Sequence, residues 1–153
     1  MKLGLLTAPF PETSIEDIAD WSAANGFSML EVCCWPSDEG STRRYGGICH
    51  IDVDGMTQDR ADEIVADLAG RGIGISGLGY YPNPLHPDAD HRQAVSDHLK
   101  KVITAASLMG VPVVNTFIGA DSAVISRGGS DSFENSMYSV TWMCSGSRAK
   151  KTW

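Results

Sequence analysis

At 153 residues, 42% hydrophobic and 20% charged, the chain has the composition of one globular domain large enough for a sizeable core. Its formal net charge is −7, and residues 1–120 carry 16 acidic against 8 basic side chains. That balance argues against a nucleic-acid partner, which needs a basic face. No apolar run approaches the ~20 residues of a membrane span, which excludes a membrane partner at this level. Residues 2–7 open directly as a short apolar strand with a single Lys2, so no export signal is read and a cytoplasmic location is expected.

Ala8-Pro9-Phe10-Pro11 breaks this first strand. Thr13 then reads as a helix N-cap, with Glu16 completing a capping box. Ile15, Ile18, Ala19 and Ser22 share one helical face, and Gly26 ends the helix. Residues 29–34 form a second strand that delivers Trp35 to its end. A loop between Pro36 and Gly55 follows, holding Cys49, His50, Asp52 and Asp54. Set against a calcium-loop template it lacks two main ligands, so it reads as a polar loop before a helix. Thr57 caps that helix, whose apolar stripe is Ala61, Ile64, Val65 and Leu68.

A third strand starts at Gly74 and runs into the loop Gly79-Tyr-Tyr-Pro-Asn-Pro-Leu-His-Pro87. Three prolines stiffen this loop, so Tyr80, Tyr81, Asn83 and His86 sit on a rigid surface. Asp88 or Asp90 begins a longer helix that buries Val95, Leu99, Val102, Ile103 and Ala106 and ends at Gly110. His91 and His98 are expected at a surface or a helix interface. Residues 111–118 make a fourth strand. Four βα units imply a parallel sheet with helices outside, because parallel neighbours need a crossover.

Residues 121–153 differ: they are rich in serine and poor in aliphatics. Asp131, with Phe133, Met137, Val140 and Cys144, fits a short helix, whereas residues 138–142 alternate as an edge strand does; periodicity alone does not separate the two. The four cysteines, Cys33, Cys34, Cys49 and Cys144, form no C-x-x-C pair and read as free thiols. Cys33 and Cys34 point to opposite faces of their strand.

Active sites of α/β folds lie at the carboxyl ends of parallel strands. Those ends collect Phe10, Trp35, Tyr80, Tyr81, Asn83, His86, Asn115 and Thr116. Aromatic walls with a few polar groups suit a small sugar or polyol. No phosphate-binding glycine loop and no G-x-S-x-G nucleophile is present, and no catalytic residue is assigned.

Three stretches carry a family resemblance: residues 79–87, Ser14-Ile-Glu-Asp-Ile-Ala-Asp-Trp21, and Gly110-Val-Pro-Val-Val-Asn-Thr-Phe-Ile-Gly119. Together they resemble the sugar phosphate isomerase/epimerase family, with its xylose isomerase-like TIM barrel. The resemblance covers about residues 1–120, the first half of such a barrel, and leaves 121–153 as an atypical tail. It implies an α/β fold, a partial (β/α)8 barrel of about four parallel βα units. It further implies a sugar isomerase or epimerase acting through a divalent metal (Mn, Mg, Co or Zn), with Asn83, His86 and Asn115 lining a pocket walled by Trp35 and Tyr80. In that family the metal ligands come from the second half of the barrel, so no metal is expected for this chain alone. A truncated or frameshifted product accounts for the missing strands and the tail together. Such a chain would be inactive by itself, or would be a non-catalytic half-barrel that binds a polyol or pairs with another half. Four parallel strands leave open edges at the first and fourth, and self-association is expected there.

Overall fold

The computed structural model describes residues 1–37 and 47–117 and, as backbone, residues 139–143. Its elements are β1 (Gly4–Leu6), α1 (Ile15–Ala24), β2 (Met29–Cys33), α2 (Gln58–Gly70), β3 (Gly74–Gly79), α3 (Ala89–Met109), β4 (Val113–Phe117) and β5 (Ser139–Met143). They form one sheet in the order β1-β2-β3-β4-β5, in which the first four strands are parallel. The expected βα repeat is therefore present, a partial (β/α)8 barrel.

Local chemistry sets the helix ends. Thr57 Oγ1 accepts from Arg60 N at 3.3 Å and starts α2. Asp88 Oδ1 accepts from Asp90 N and His91 N, and this resolves the start of α3. For α1 the cap moves by one residue from the expected Thr13. Ser14 is extended (ψ 156°), and its hydroxyl accepts from Asp17 N at 3.1 Å. Gly110 closes α3 in the left-handed conformation at φ 68°.

The core lies between sheet and helices. Leu30 and Val32 of β2, Leu78 of β3 and Val114 of β4 are fully buried there against Ile18, Ala61, Leu68, Val102 and Ala106. His98, expected at a surface or helix interface, is instead buried in this layer. Its Nε2 lies 2.8 Å from the Cys34 carbonyl, so the α3 face reaches the end of β2. Arg71 ties α1 to α2 by pairing with Asp20 and Asp67.

In the last part of the chain one open alternative is decided and one expectation changes. The alternating pattern, not the helical one, describes the backbone at Ser139–Met143, while Asp131, Phe133, Met137 and Cys144 lie outside the described residues. This strand runs antiparallel to β4 along its whole length. The edge of β4 is therefore covered, and the sheet's outer strands are β1 and β5 rather than β1 and β4.

Gly110→Ala should destabilise the chain by about 1–2 kcal/mol, since a Cβ disfavours the left-handed conformation that ends α3. Urea unfolding followed by circular dichroism reads this out; an unchanged midpoint would show that the helix end relaxes without cost.

Candidate functional site

The sheet's second face, opposite the helices, holds the polar groups. In β2, alternation sends Glu31 to this inner face while Leu30 and Val32 enter the core. Two glycines of β3 let neighbouring side chains close in on the inner face. A Cβ on Gly77 would stand 3.2 Å from Asn115 Nδ2 and 3.3 Å from Val113 Cγ1. One on Gly79 would stand 2.9 Å from the Tyr81 ring and 3.2 Å from Glu31 Oε1. Glu31, Tyr81 and Asn115 thus share a single face at the carboxyl ends of the strands.

The Tyr81 hydroxyl donates to Glu31 Oε1, and its ring packs against Phe117 with centroids 5.1 Å apart. Burial, then the hydrogen bond to Glu31 and the carboxylate's charge, push the Tyr81 phenol far above its ordinary range. It stays protonated and donates.

Tyr80 is not an inner-face wall. It is 3% exposed and packed in the helix-side core, with its ring 4.6 Å from His98 and 5.4 Å, edge-on, from Trp35. The cause is one extra residue. Leu30 pairs with Ile75 but Glu31 pairs with Gly77, so Ser76 is a bulge and every later side chain of β3 changes face. Ser76 Oγ donates to the Leu30 carbonyl at 3.0 Å and holds the bulge in place.

Trp35 is half-buried at the end of β2, between the core and a small cluster of Ala8, Cys33 and Ile48; its buried Nε1 has no hydrogen-bond partner among the described residues. Asn83 and His86 shape the loop before α3. Asn83 Oδ1 accepts from Leu85 N at 2.9 Å, and His86 Nδ1 accepts from Asp88 N at 3.2 Å. The His86 ring packs 4.4 Å from that of His91. Of the residues expected from sequence, Tyr81 and Asn115 are the two placed with Glu31. Thr116 is buried on the other side of β4.

The segment after residue 46 folds back on the strand ends. Trp35 N donates to the Ile48 carbonyl and His50 N to the Cys33 carbonyl. His50 Nε2 lies 3.0 Å from the Phe10 carbonyl, and burial lowers the imidazole's pKa. Asp54 leaves this group to pair with Lys101 at 2.7 Å, which draws its pKa down.

The divalent metal implied by the resemblance was tested against these side chains. Among the described residues no three His, Cys, Asp or Glu groups come together as a ligand set. They do not fit such an ion, and no metal-dependent step is derived from them. No described helix is long and apolar enough to cross a membrane.

Four parallel strands in sequential order, alternating with helices and carrying polar groups at their carboxyl ends, match a partial TIM barrel. A family model described as xylose isomerase-like TIM barrel matches residues 19–145, and the chain belongs to that family. Solved structures with the same fold include a putative xylose isomerase from Rhodospirillum rubrum (TM-score 0.58, 18% identity, 84% of this chain and 43% of that one). Another is the probable 3-DHS dehydratase AsbF of Bacillus anthracis (TM-score 0.52, 18% identity, 76% and 38%). A third is a D-psicose 3-epimerase determined in the presence of D-fructose (TM-score 0.51, 15% identity, 74% and 36%). The chain spans about two-fifths of the length of these structures. No curated relative matches it.

Tyr81 should contribute no phenolate near pH ~10, where exposed tyrosines ionise. Its raised pKa means that the folded state keeps a proton that the unfolded state loses. The associated stability is therefore complete below pH ~10 and falls as pH rises beyond it. Alkaline difference absorbance should count equal phenolates at pH ~10 in the wild type and in Tyr81→Phe. One more in the wild type would mean that Tyr81 is unprotected.

Proposed function

We propose that the inner face binds a small sugar or polyol, and that the chain carries the substrate-binding rim of a sugar or sugar phosphate isomerase or epimerase. The observation that carries this reading is the Glu31–Tyr81 hydrogen bond standing beside Asn115 over two glycines. Tyr81 occupies one carboxylate oxygen of Glu31, and the other can accept from a ligand hydroxyl. The Asn115 side chain adds an amide to this face, and the rings of Tyr81 and Phe117 face the ligand's C–H groups. The loop bearing Asn83 and His86 forms the neighbouring rim. Isomerisation itself needs a stabilised enediolate, which metal or an equivalent charge supplies in a completed barrel. The chain alone is accordingly proposed to bind without turnover.

Titrating the chain with a panel of ketoses, aldoses and polyols, followed by NMR, tests this. At least one should shift Glu31, Tyr81 and Asn115 resonances, and Glu31→Gln should weaken it about tenfold, the worth of a charge-assisted hydrogen bond. No shift with any member would refute the binding reading. Robust turnover with added Mn²⁺, Mg²⁺ or Co²⁺, abolished by chelator, would refute the inactive one.

A second reading, a non-catalytic half-barrel that pairs with another half, is favoured by the β1 margin. β1 is an outer strand of the sheet, with its own Leu6 39% exposed and the preceding Leu3 51% exposed. A second copy docked there would extend the sheet and shelter both leucines. Sedimentation velocity should then show a concentration-dependent dimer that Leu6→Lys weakens. A monomer at every concentration would rule the pairing out.

A further inference from the structure

We propose that Cys34 and Cys49 form a reversible disulfide that clasps the segment after residue 46 onto the end of β2. The two residues are direct partners in an isolated antiparallel bridge. The flanking hydrogen bonds run from Trp35 N to Ile48 O at 3.2 Å and from His50 N to Cys33 O at 3.0 Å. That pattern makes Cys34 and Cys49 a non-hydrogen-bonded pair, the narrow kind, whose Cα atoms stand about 4.5 Å apart with side chains on one face. The spacing lies within the range that a disulfide spans without backbone movement.

Both thiols are free in the structure, and they differ in access: Cys34 is fully buried whereas Cys49 is partly exposed. Cys33 points to the opposite face, among Ala8 and Ile48, and is poorly placed to compete. Burial pushes all three thiols up, Cys33 to about 11, and the Asp52 carboxylate adds to the effect at Cys49. Exchange is therefore slow at neutral pH and faster in mild alkali.

The chemistry balances with a small-molecule disulfide, such as oxidised glutathione, as oxidant. The Cys49 thiolate attacks one of its sulfurs, forming a mixed disulfide and releasing one thiolate. The Cys34 thiolate then attacks Cys49 Sγ, forming the internal bond and expelling the second. The two protein thiols are oxidised, the reagent is reduced to two thiols, and their protons pass to the leaving thiolates. The clasp would fix Ile48 against Cys33 and His50 against the Phe10 carbonyl, so the redox state sets how firmly the rim of the strand ends is held.

The test is to incubate the full chain with oxidised glutathione at pH about 8.5, quench with an alkylating reagent and map tryptic peptides without reduction. Trypsin cleaves between the two cysteines, at Arg43 and Arg44. The expected product is lighter by two hydrogens, joins the Cys34 and Cys49 peptides, and reverts with dithiothreitol. It should persist in Cys33→Ala and Cys144→Ala and vanish in Cys49→Ser. A link from Cys33 to Cys34, a link to Cys144, or a stable glutathione adduct on Cys49 with no internal bond would each overturn the proposal. Cys33 and Cys34 share the tryptic peptide 3–43, so fragmentation between them assigns the linked sulfur in the wild-type map even if a variant fails to fold, and a Cys33–Cys49 link would also overturn the proposal.

Discussion

Side-chain alternation along two adjacent strands organises this molecule. In β2 it divides the chain's chemistry cleanly, with Leu30 and Val32 to the helices and Glu31 to the other face. In β3 the alternation is interrupted once, at Ser76, and the interruption matters more than the strand does. Before it, Ile75 packs toward the helices; after it, Leu78 and Tyr80 do so, while Gly77, Gly79 and Tyr81 take the inner face. Without the extra residue, Tyr80 would stand where Tyr81 stands.

The strand ends are tied by backbone more than by side chains. Thr7 N donates to the Glu31 carbonyl, Cys34 N to that of Gly79, and Tyr80 N to that of Asn115. These rungs run across all four parallel strands just where the polar groups emerge. Glu31 and Asn115 therefore each do two things: their carbonyls hold a neighbouring strand, and their side chains face outward from the sheet. Backbone rungs of this kind keep a rim in register without spending the side chains that a ligand would use. His98 adds a support from below by reaching the Cys34 carbonyl from α3.

Features decided by neighbours in sequence were legible from it. Thr57, Asp88 and Gly110 end their helices by contacts within a few residues, and four apolar runs became the four parallel strands. The cap at Ser14 was misplaced by one because Thr13 and Ser14 offer the same hydroxyl, and backbone conformation chooses between them. Tyr80 was misread because a bulge is set by pairing with β2, which lies far off in sequence. Glu31 had a visible signal, a lone acid in the run Met-Leu-Glu-Val-Cys-Cys. An otherwise apolar strand does not show that its one acid lies on the face opposite the helices. The pairing of β5 with β4 was legible only in part, since an alternating pattern names an edge strand without naming its neighbour.

Gly79 separates two demands that usually fall on the same residue. The three nearest atoms a methyl group there would meet belong to side chains: the Tyr81 ring, the Tyr81 hydroxyl and a Glu31 carboxylate oxygen. All three are ends of side chains that can swing aside. An alanine could thus be accommodated by the sheet at the expense of the pairing between tyrosine and carboxylate. Position 79 is a place where a lineage could lose the Glu31–Tyr81 pairing while keeping its architecture.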